Sequence, residues 1–233
     1  MDETARQIQK MFDTVAPAYD LLNHILSANI DKHWRHLATR MVLNGNVTRA
    51  LDLCTGTADL ALCIAAAARP DAVIVGLDFS RAMLTKARLK IQRASLNNSP
   101  CLVQADCLSL PFADQSFDLV TVAFGFRNLS DLAQGIREMV RVTRPRGKVL
   151  ILEFSLPSRG VFRNLYRLYL TRVLPRIGYW LTRTQAYGYL QHSIHTFPDP
   201  ERLKSLLLAS GLHNVRMIPR TQGIVCYYLG EVP

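Results

Sequence analysis

At 233 residues, with 49% hydrophobic and 20% charged side chains, the chain has the length of one large domain and a composition that excludes global disorder. Its formal net charge of +10 favours an anionic partner: nucleic acid, an acidic membrane surface or a phosphate-bearing ligand. The five cysteines form no C-x-x-C pair, which fits reduced thiols in the cytoplasm and argues against a disulfide framework or a zinc site. The acidic, polar start MDETARQIQK is no signal peptide, and no uncharged apolar run reaches the ~18 residues of a spanning helix.

Residues 1–44 read as helices ahead of the first strand. Five short apolar runs then read as strands: VTRALDL (47–53), AVIVGLD (72–78), CLVQA (101–105), FDLVTVA (117–123) and GKVLILEF (147–154). Helical patterns separate most of them, at 58–68, 80–93 and 131–143. This alternation predicts a parallel, helix-flanked sheet, and the continuous apolar VIV and VLIL predict strands buried on both faces. An insertion (155–200) and a last helix (200–210) follow. NVRMIPR (214–220) and GIVCYYLG (223–230), separated by TQ, predict an antiparallel hairpin that closes the sheet. Five βα units ending in such a hairpin resemble the α/β, Rossmann-like fold of class I S-adenosylmethionine-dependent methyltransferases, with a mostly parallel seven-stranded sheet in a single domain spanning 1–233. Function has to come from the site rather than from this likeness.

The first strand leads into ALDLCTGTADLAL (50–62). Ligands of such sheets bind beyond the carboxyl ends of the strands. Asp52 ends the strand, Gly56 lets backbone approach a ligand, and Asp59 opens the next helix. From Gly56 the run reads G-T-A-D-L-A, so the dinucleotide pattern is not met. A turn bounded by acids suits a cationic or zwitterionic ligand; a purely structural strand–helix turn is the alternative. Asp78 ends the second strand, roughly 20 residues after the glycine turn, where an acid can accept both ribose hydroxyls of an adenosine. Asp106 follows the third strand, where it can accept from an adenine amino group while the Cys107 backbone supports the ring edge. Each acid has an alternative as a helix N-cap, but three acids at three successive strand ends are poorly explained by capping alone.

The segments MFDTVAPAYDLLN, LDLCTGTADLAL, LDFSRAML, QADCLSLPFADQSFD, FGFRN, VTRPRGKVLILEF, VLPRIG and YLQHSIHTFP together resemble the ubiquinone/menaquinone biosynthesis C-methyltransferase family, from about residue 10 to residue 230. The nucleotide-binding motifs are common to many methyltransferases; FDTVAPAYD, FGFRN and the YLxxSIxxFP pattern are far more restrictive. The resemblance implies S-adenosyl-L-methionine as donor and a polyprenylated quinol as acceptor, most simply demethylmenaquinol going to menaquinol, with a benzoquinol as the other choice. It implies cofactor contacts at Thr57, Asp78, Asp106, Cys107 and position 123. Thr55 and Ala58 replace glycines of the family's GGTGD, Asp106 replaces its usual Asn, and Ala123 replaces a common Ser and its hydroxyl.

Carbon methylation of a hydroquinone needs phenolate-like electron density at the carbon ortho to a hydroxyl, so the protein must align that carbon and stabilise the charge that develops. Arg127 and Asn128 follow the fourth strand in FGFRN. Arginine is a poor base because its pKa exceeds ~12; Arg127 is therefore expected to stabilise the phenolate or position a water, with Asn128 orienting it. A structural Arg–carboxylate pair is the alternative. Tyr19 and Asp20 lie in the 1–44 segment, which can cap the cofactor pocket, or simply pack there. His33 with His36, and His192 with His195, lack a suitably spaced third ligand, so no metal is expected.

Residues 154–198 contain no Asp or Glu. Arg159, Arg163, Arg167, Arg172, Arg176 and Arg183 alternate there with Phe162, Leu165, Tyr166, Leu168, Tyr169, Val173, Leu174 and Trp180. A basic amphipathic stretch with aromatic anchors suits an anionic lipid surface, from which a greasy quinol would be drawn, so peripheral attachment at the inner face of the cell membrane is expected. A solvated basic face over a core helix, or a homodimer surface, competes with this reading. AFGFRN stands where amino-group methylases of bases carry N/D-P-P-Y/F, and no aromatic single-strand platform is evident, so no nucleic-acid partner is expected. The remaining rivals are a methyltransferase for another lipid-like acceptor and a noncatalytic S-adenosylmethionine-binding component of a quinone-biosynthesis complex.

Overall fold

The computed structural model describes residues 13–14, 27, 29–43, 47–157, 161–173, 176 and 193–233. Helix α1 (Ile30–Val42) places Trp34, Ala38 and Val42 on one buried stripe, the spacing of a single helix face. Strand β1 (Arg49–Leu53), helix α2 (Asp59–Ala67), β2 (Val73–Asp78), α3 (Arg81–Ala94), β3 (Cys101–Gln104) and β4 (Phe117–Ala123) follow. A short 3₁₀ turn (Phe126–Asn128), α4 (Leu132–Val142) and β5 (Thr143–Phe154) complete the parallel half. Helix α5 (Val161–Leu168) runs on into a π turn (Tyr169–Val173); α6 (Pro200–Ala209), β6 (His213–Arg220), a 3₁₀ turn (Thr221–Gly223) and β7 (Val225–Glu231) close the chain. Side-chain caps start three of these helices: Ser80 for α3, Asp131 for α4 and Asp199 for α6 each accept a backbone N–H of the first turn. Each such cap is worth about 1 kcal/mol.

The seven strands form one sheet in the order β3-β2-β1-β4-β5-β7-β6. Every neighbouring pair is parallel except those made by β7, which runs antiparallel to both β5 and β6. This is the expected seven-stranded, mostly parallel sheet with an antiparallel end. The sequence runs outward from β1 to β3 and then resumes with β4 on the other side of β1. That reversal makes the carboxyl ends of β1 and β4 the switch point, where ligands of open α/β sheets bind.

Two details differ from the sequence reading. Strand β5 begins at Thr143, not at 147, because Thr143 pairs with Phe117 before the register shifts to Leu119–Lys148. Arg146 at φ 63° winds the T-R-P-R-G stretch through that irregularity, and Gly147 is required because a Cβ there would sit 2.5 Å from Thr143 Cγ2. The hairpin is not a two-residue TQ turn. Thr221, Gln222 and Gly223 all take left-handed backbone (φ 50°, 57° and 88°). The longer turn lets β7 swing between β5 and β6, where Tyr227 and Tyr228 point to opposite faces and are both buried.

Core side chains fill both faces of the sheet. Helix α1 is anchored there by Trp34, whose ring lies 6.0 Å from that of Phe124 and 6.2 Å from that of Phe154. Trp34 Nε1 donates to Thr221 Oγ1 at 2.9 Å, and the Tyr227 hydroxyl donates to the Trp34 carbonyl at 3.0 Å. The first described helix is thus tied to the strand ends around the switch point.

Candidate active site

Asp52 sits in β1 opposite Thr121 of β4. It accepts from Thr121 Oγ1 at 2.8 Å and from Thr55 Oγ1 at 2.6 Å. Burial pushes its pKa up to about 6 in spite of these two bonds. The turn that follows is tightly wound: Cys54, Gly56 and Ala58 all have positive φ (49°, 57° and 69°). Ala58 therefore carries a methyl in a backbone region that favours glycine. Strand β2 passes close beneath, since a Cβ on Gly76 would lie 3.0 Å from Thr55 Oγ1.

Asp78, at the end of β2, is held from two sides. The Gly56 N–H donates to Oδ2 at 2.8 Å and the Ser80 N–H to Oδ1 at 2.9 Å. Burial again dominates and raises its pKa to about 6. Ser80 Oγ donates to Asp13 Oδ1 at 2.6 Å, so the N-terminal segment reaches this acid, and the Asp13 charge raises the Asp78 pKa further. Asp106 follows β3 and accepts the Leu108 N–H at 2.9 Å. Cys107 beside it is buried, with its Sγ 3.5 Å from Cys54 Sγ.

Arg35, Asp52, Gly56, Thr57, Asp59 and Ala123 line one cleft, along with Cys54, Thr55 and Leu60. Of the expected cofactor residues, Asp52, Gly56, Thr57, Asp59 and Ala123 come together there; Asp78 abuts it through Gly56. Two cations were not singled out from the sequence. Lys90 of α3 donates to Asp59 Oδ1 at 2.7 Å and to Thr57 Oγ1 at 3.2 Å. Arg35 of α1 is buried, pairs with Asp31 at 2.5 Å and brings Nη2 to 3.8 Å from Asp59 Oδ2. The Asp59 carboxylate is thus already engaged by basic side chains. Nothing in a lone Lys or Arg on a helix distinguishes it from a solvated one, so only the fold reveals these two.

Arg127 lies in the turn just past β4. Its Nη1 donates to Glu153 Oε1 at 2.7 Å and to the Phe124 carbonyl at 2.5 Å; its Nε donates to Ser193 Oγ at 3.3 Å. Its backbone N–H donates to Glu153 Oε2 at 3.2 Å, and the guanidinium lies 5.4 Å from the Phe154 ring centre. The Arg–carboxylate pair weighed from the sequence is therefore formed, with fully buried Glu153. Asn128 is half-buried, while Glu153, Phe124 and Ser193 grip the guanidinium. Ser193 belongs to YLxxSIxxFP, so that motif and FGFRN meet at this arginine. Glu153 carried a faint sequence signal, as the acid that ends the apolar run VLIL.

Phe124 (φ 60°) joins the two regions. Its carbonyl accepts from Arg127 while its ring stacks under the Arg35 guanidinium, 5.3 Å from centre to Cζ. Beyond Arg127, Tyr166, Leu170 and Ile194 form a small apolar cluster with Phe154 and Leu156 at its edge. On the outer side of α5, Leu165 and Leu168 are 59% and 44% exposed beside exposed Arg163 and Arg167. Arg172 and Arg176 are also exposed.

Tyr19, Asp20 and His192 lie outside the described residues, as do Arg159, Arg183 and Trp180. His33, His36 and His195 are exposed; among the described residues no cluster of metal-ligating side chains occurs and no helix is long and apolar enough to cross a membrane.

A model of the ubiE/COQ5 methyltransferase family matches residues 1–231. A ubiquinone/menaquinone biosynthesis C-methyltransferase UbiE of Geotalea uraniireducens is 42% identical over 231 residues, covering 99% of this chain and 98% of the relative. A demethylmenaquinone methyltransferase of Thermus thermophilus is 43% identical over 224 residues, covering 96% of this chain and 100% of the relative. Solved structures share the fold at low identity. A S-adenosylmethionine-dependent methyltransferase of Thermotoga maritima matches with a TM-score of 0.67 at 14% identity (96% of this chain, 100% of that one). The [4+2]-cyclase SpnF matches with a TM-score of 0.71 at 15% identity (98% and 96%).

Proposed function

The chain belongs to the ubiE/COQ5 methyltransferase family and is a S-adenosylmethionine-dependent quinone C-methyltransferase, and from that premise we propose that it converts demethylmenaquinol to menaquinol at the cleft between the ends of β1 and β4. The observation that carries this reading is Phe124, which ties the acid-lined cleft to Arg127 through its ring on one side and its carbonyl on the other. Donor and acceptor chemistry would then meet across a single residue.

The residues present fit the donor. A zwitterionic amino-acid end calls for both signs of charge, and the cleft offers Asp52 and Asp59 with Arg35 beside them. Asp78, pre-set by two backbone N–H groups, would take the ribose hydroxyls, and Asp106 with the Cys107 backbone would take the adenine. Arg35 would hold the carboxylate and Asp52 the ammonium. When bound, S-adenosylmethionine supplies an electrophilic methyl group on its sulfonium. Arg127 would stabilise the charge that develops on the quinol oxygen as it loses its proton, and the buried surroundings would strengthen that effect.

Residues 1–44 serve in this reading as a cap over the donor, with Tyr19 and Asp20 as further acid–base candidates, and 155–200 as the acceptor-side insertion. The leucine–arginine face of α5 would rest on the anionic inner face of the cell membrane as a peripheral attachment. Exposed leucines beside the arginines favour lipid over a merely solvated basic face; a homodimer surface is the second use they would fit.

The test is to incubate the purified protein with labelled donor and short-chain naphthoquinol and benzoquinol analogues. Label transfer to the naphthoquinol ring carbon is expected. Transfer only to the benzoquinol would overturn the acceptor assignment, and donor binding without transfer to either would favour a noncatalytic component.

A further inference from the structure

We infer that Glu153 is the positioning residue that aims Arg127 at the acceptor. This rests on Arg127 as the phenolate-stabilising group and adds the means by which it is held. Glu153 lies near the end of β5, fully buried and paired in register with Cys226 of β7, one residue past Leu152, which pairs with Ala123 of β4, so its backbone is fixed by the sheet. Both of its oxygens address Arg127. Oε1 accepts from Nη1 and Oε2 from the backbone N–H, which fixes side chain and main chain together. The Phe154 N–H, at 2.8 Å from Oε1, completes the carboxylate's bonding. With Nε on Ser193 and Nη1 also on the Phe124 carbonyl, Nη2 is the guanidinium nitrogen that carries no hydrogen bond among the described residues.

Fold stability does not account for this arrangement. Removing a carboxylate and a guanidinium from water is costly, and an apolar pair of similar volume commonly stabilises a core as well or better. A buried pair that pins both halves of one arginine instead gives orientation, which transition-state stabilisation by a charged group requires. Among the described residues, Tyr166 of α5 and Tyr228 of β7 are electrostatically coupled to the pair. Burial raises both phenols, so they stay protonated at neutral pH.

The experiment compares Glu153→Asp, which keeps the charge but draws it back by one methylene, Glu153→Gln, and Arg127→Ala. For each, donor affinity, melting temperature, quinol KM and kcat across pH are measured on folded protein. A displacement on the scale of an ångström in an aligned group reduces rate by up to ~100-fold. Glu153→Asp is therefore expected to lower kcat tenfold or more, with donor affinity and quinol KM close to wild type. The acid limb of its kcat–pH profile should move to higher pH, because a mis-aimed guanidinium stabilises the phenolate less. Glu153→Gln should be slower still. Wild-type kcat in Glu153→Asp, with Arg127→Ala slow, overturns the positioning role alone. Wild-type kcat in Arg127→Ala overturns the role of the arginine and this inference with it. Loss of donor binding or of melting temperature in proportion to kcat would make Glu153 a structural residue only.

Discussion

Acid should weaken donor binding by an amount set by two buried carboxylates. Burial raises Asp52 and Asp78 to about 6 each in the free protein, and both are proposed to meet the donor in their charged form. At pH 7 each is about nine-tenths ionised and at pH 5 about one-tenth, so each lowers apparent affinity about tenfold over that interval and the two together about a hundredfold. The same shifts act on stability with the opposite sign. A carboxyl raised above its unfolded value contributes stability that is complete below about pH 4 and is lost as pH rises through about 6. For a change from 3.8 to about 6, that loss is of order 3 kcal/mol per acid. Asp118, held low by the Thr48 and Arg49 groups against its burial, and Glu138, held low by Arg141, lose their contribution only at more acid pH. Calorimetric titration of the donor between pH 5 and pH 7 checks the binding side; thermal melts without donor check the other. Asp78→Asn should bind more weakly at pH 7 and keep only about tenfold of the pH dependence, from Asp52. Equal wild-type affinity at pH 5 and pH 7 would refute the assignment of these acids to the donor.

Asp78→Ala should lower donor affinity by ~1.5–3 kcal/mol, roughly 10- to 100-fold, by calorimetry at pH 7; wild-type binding would remove it from the ribose. Arg127→Ala should raise the barrier to single-turnover methyl transfer by ~2 kcal/mol or more with donor affinity retained, and Arg127→Lys should recover only part, because it lacks the planar fork. Arg35→Met should weaken S-adenosylmethionine binding about tenfold yet leave 5′-methylthioadenosine, which has no carboxylate, unaffected; equal losses for both ligands would make Arg35 a structural residue. Sedimentation with anionic liposomes should fall with salt and with Arg163→Glu/Arg167→Glu, and undiminished binding to neutral liposomes at high salt would exclude the electrostatic account.

What could be read from the sequence was whatever adjacent residues decide. The apolar runs ending at Asp78, Ala123 and Phe154 are strands because a parallel strand covered on both faces must be apolar throughout, and the place of Asp78 at a strand tip follows from position alone. The strand expected over 147–154 starts earlier, because Thr143 pairs across to Phe117 and draws the T-R-P-R-G stretch into β5, a pairing that nothing local announces. At the site, Asp52, Gly56 and Asp78 were visible as one strand-end pattern, but their cations were not. Arg35 and Lys90 reach Asp59 from helices 24 and 31 positions away, and Glu153 reaches Arg127 through the pairing of β4 with β5. Such partners are chosen by tertiary register, which leaves no local periodicity to read. Asn128 is adjacent to Arg127 in sequence, whereas the side-chain bonds of Arg127 run to Glu153, Phe124 and Ser193, which sequence adjacency does not single out.

Cys54, which lines the cleft, and Cys107 against it have a bearing on chemical durability. Oxidised quinones are electrophiles that alkylate thiolates by conjugate addition, and a protein that handles them exposes its own sulfur to its substrate's oxidised form. Only the thiolate reacts at a useful rate. Contact with Cys107 and burial, with Asp78 and Asp52 adding their charges, hold the Cys54 thiol well above its ordinary pKa, so the sulfur beside the donor turn stays protonated at working pH. Cys101, the exposed one, starts β3 at the amino-terminal edge of the sheet, the edge away from the cleft. Cys107 and burial thus keep the sulfur beside the proposed donor turn in its unreactive form, with the acids proposed to receive a cationic donor adding to the effect, and the catalyst should resist inactivation by quinone far longer than its cysteine count would suggest.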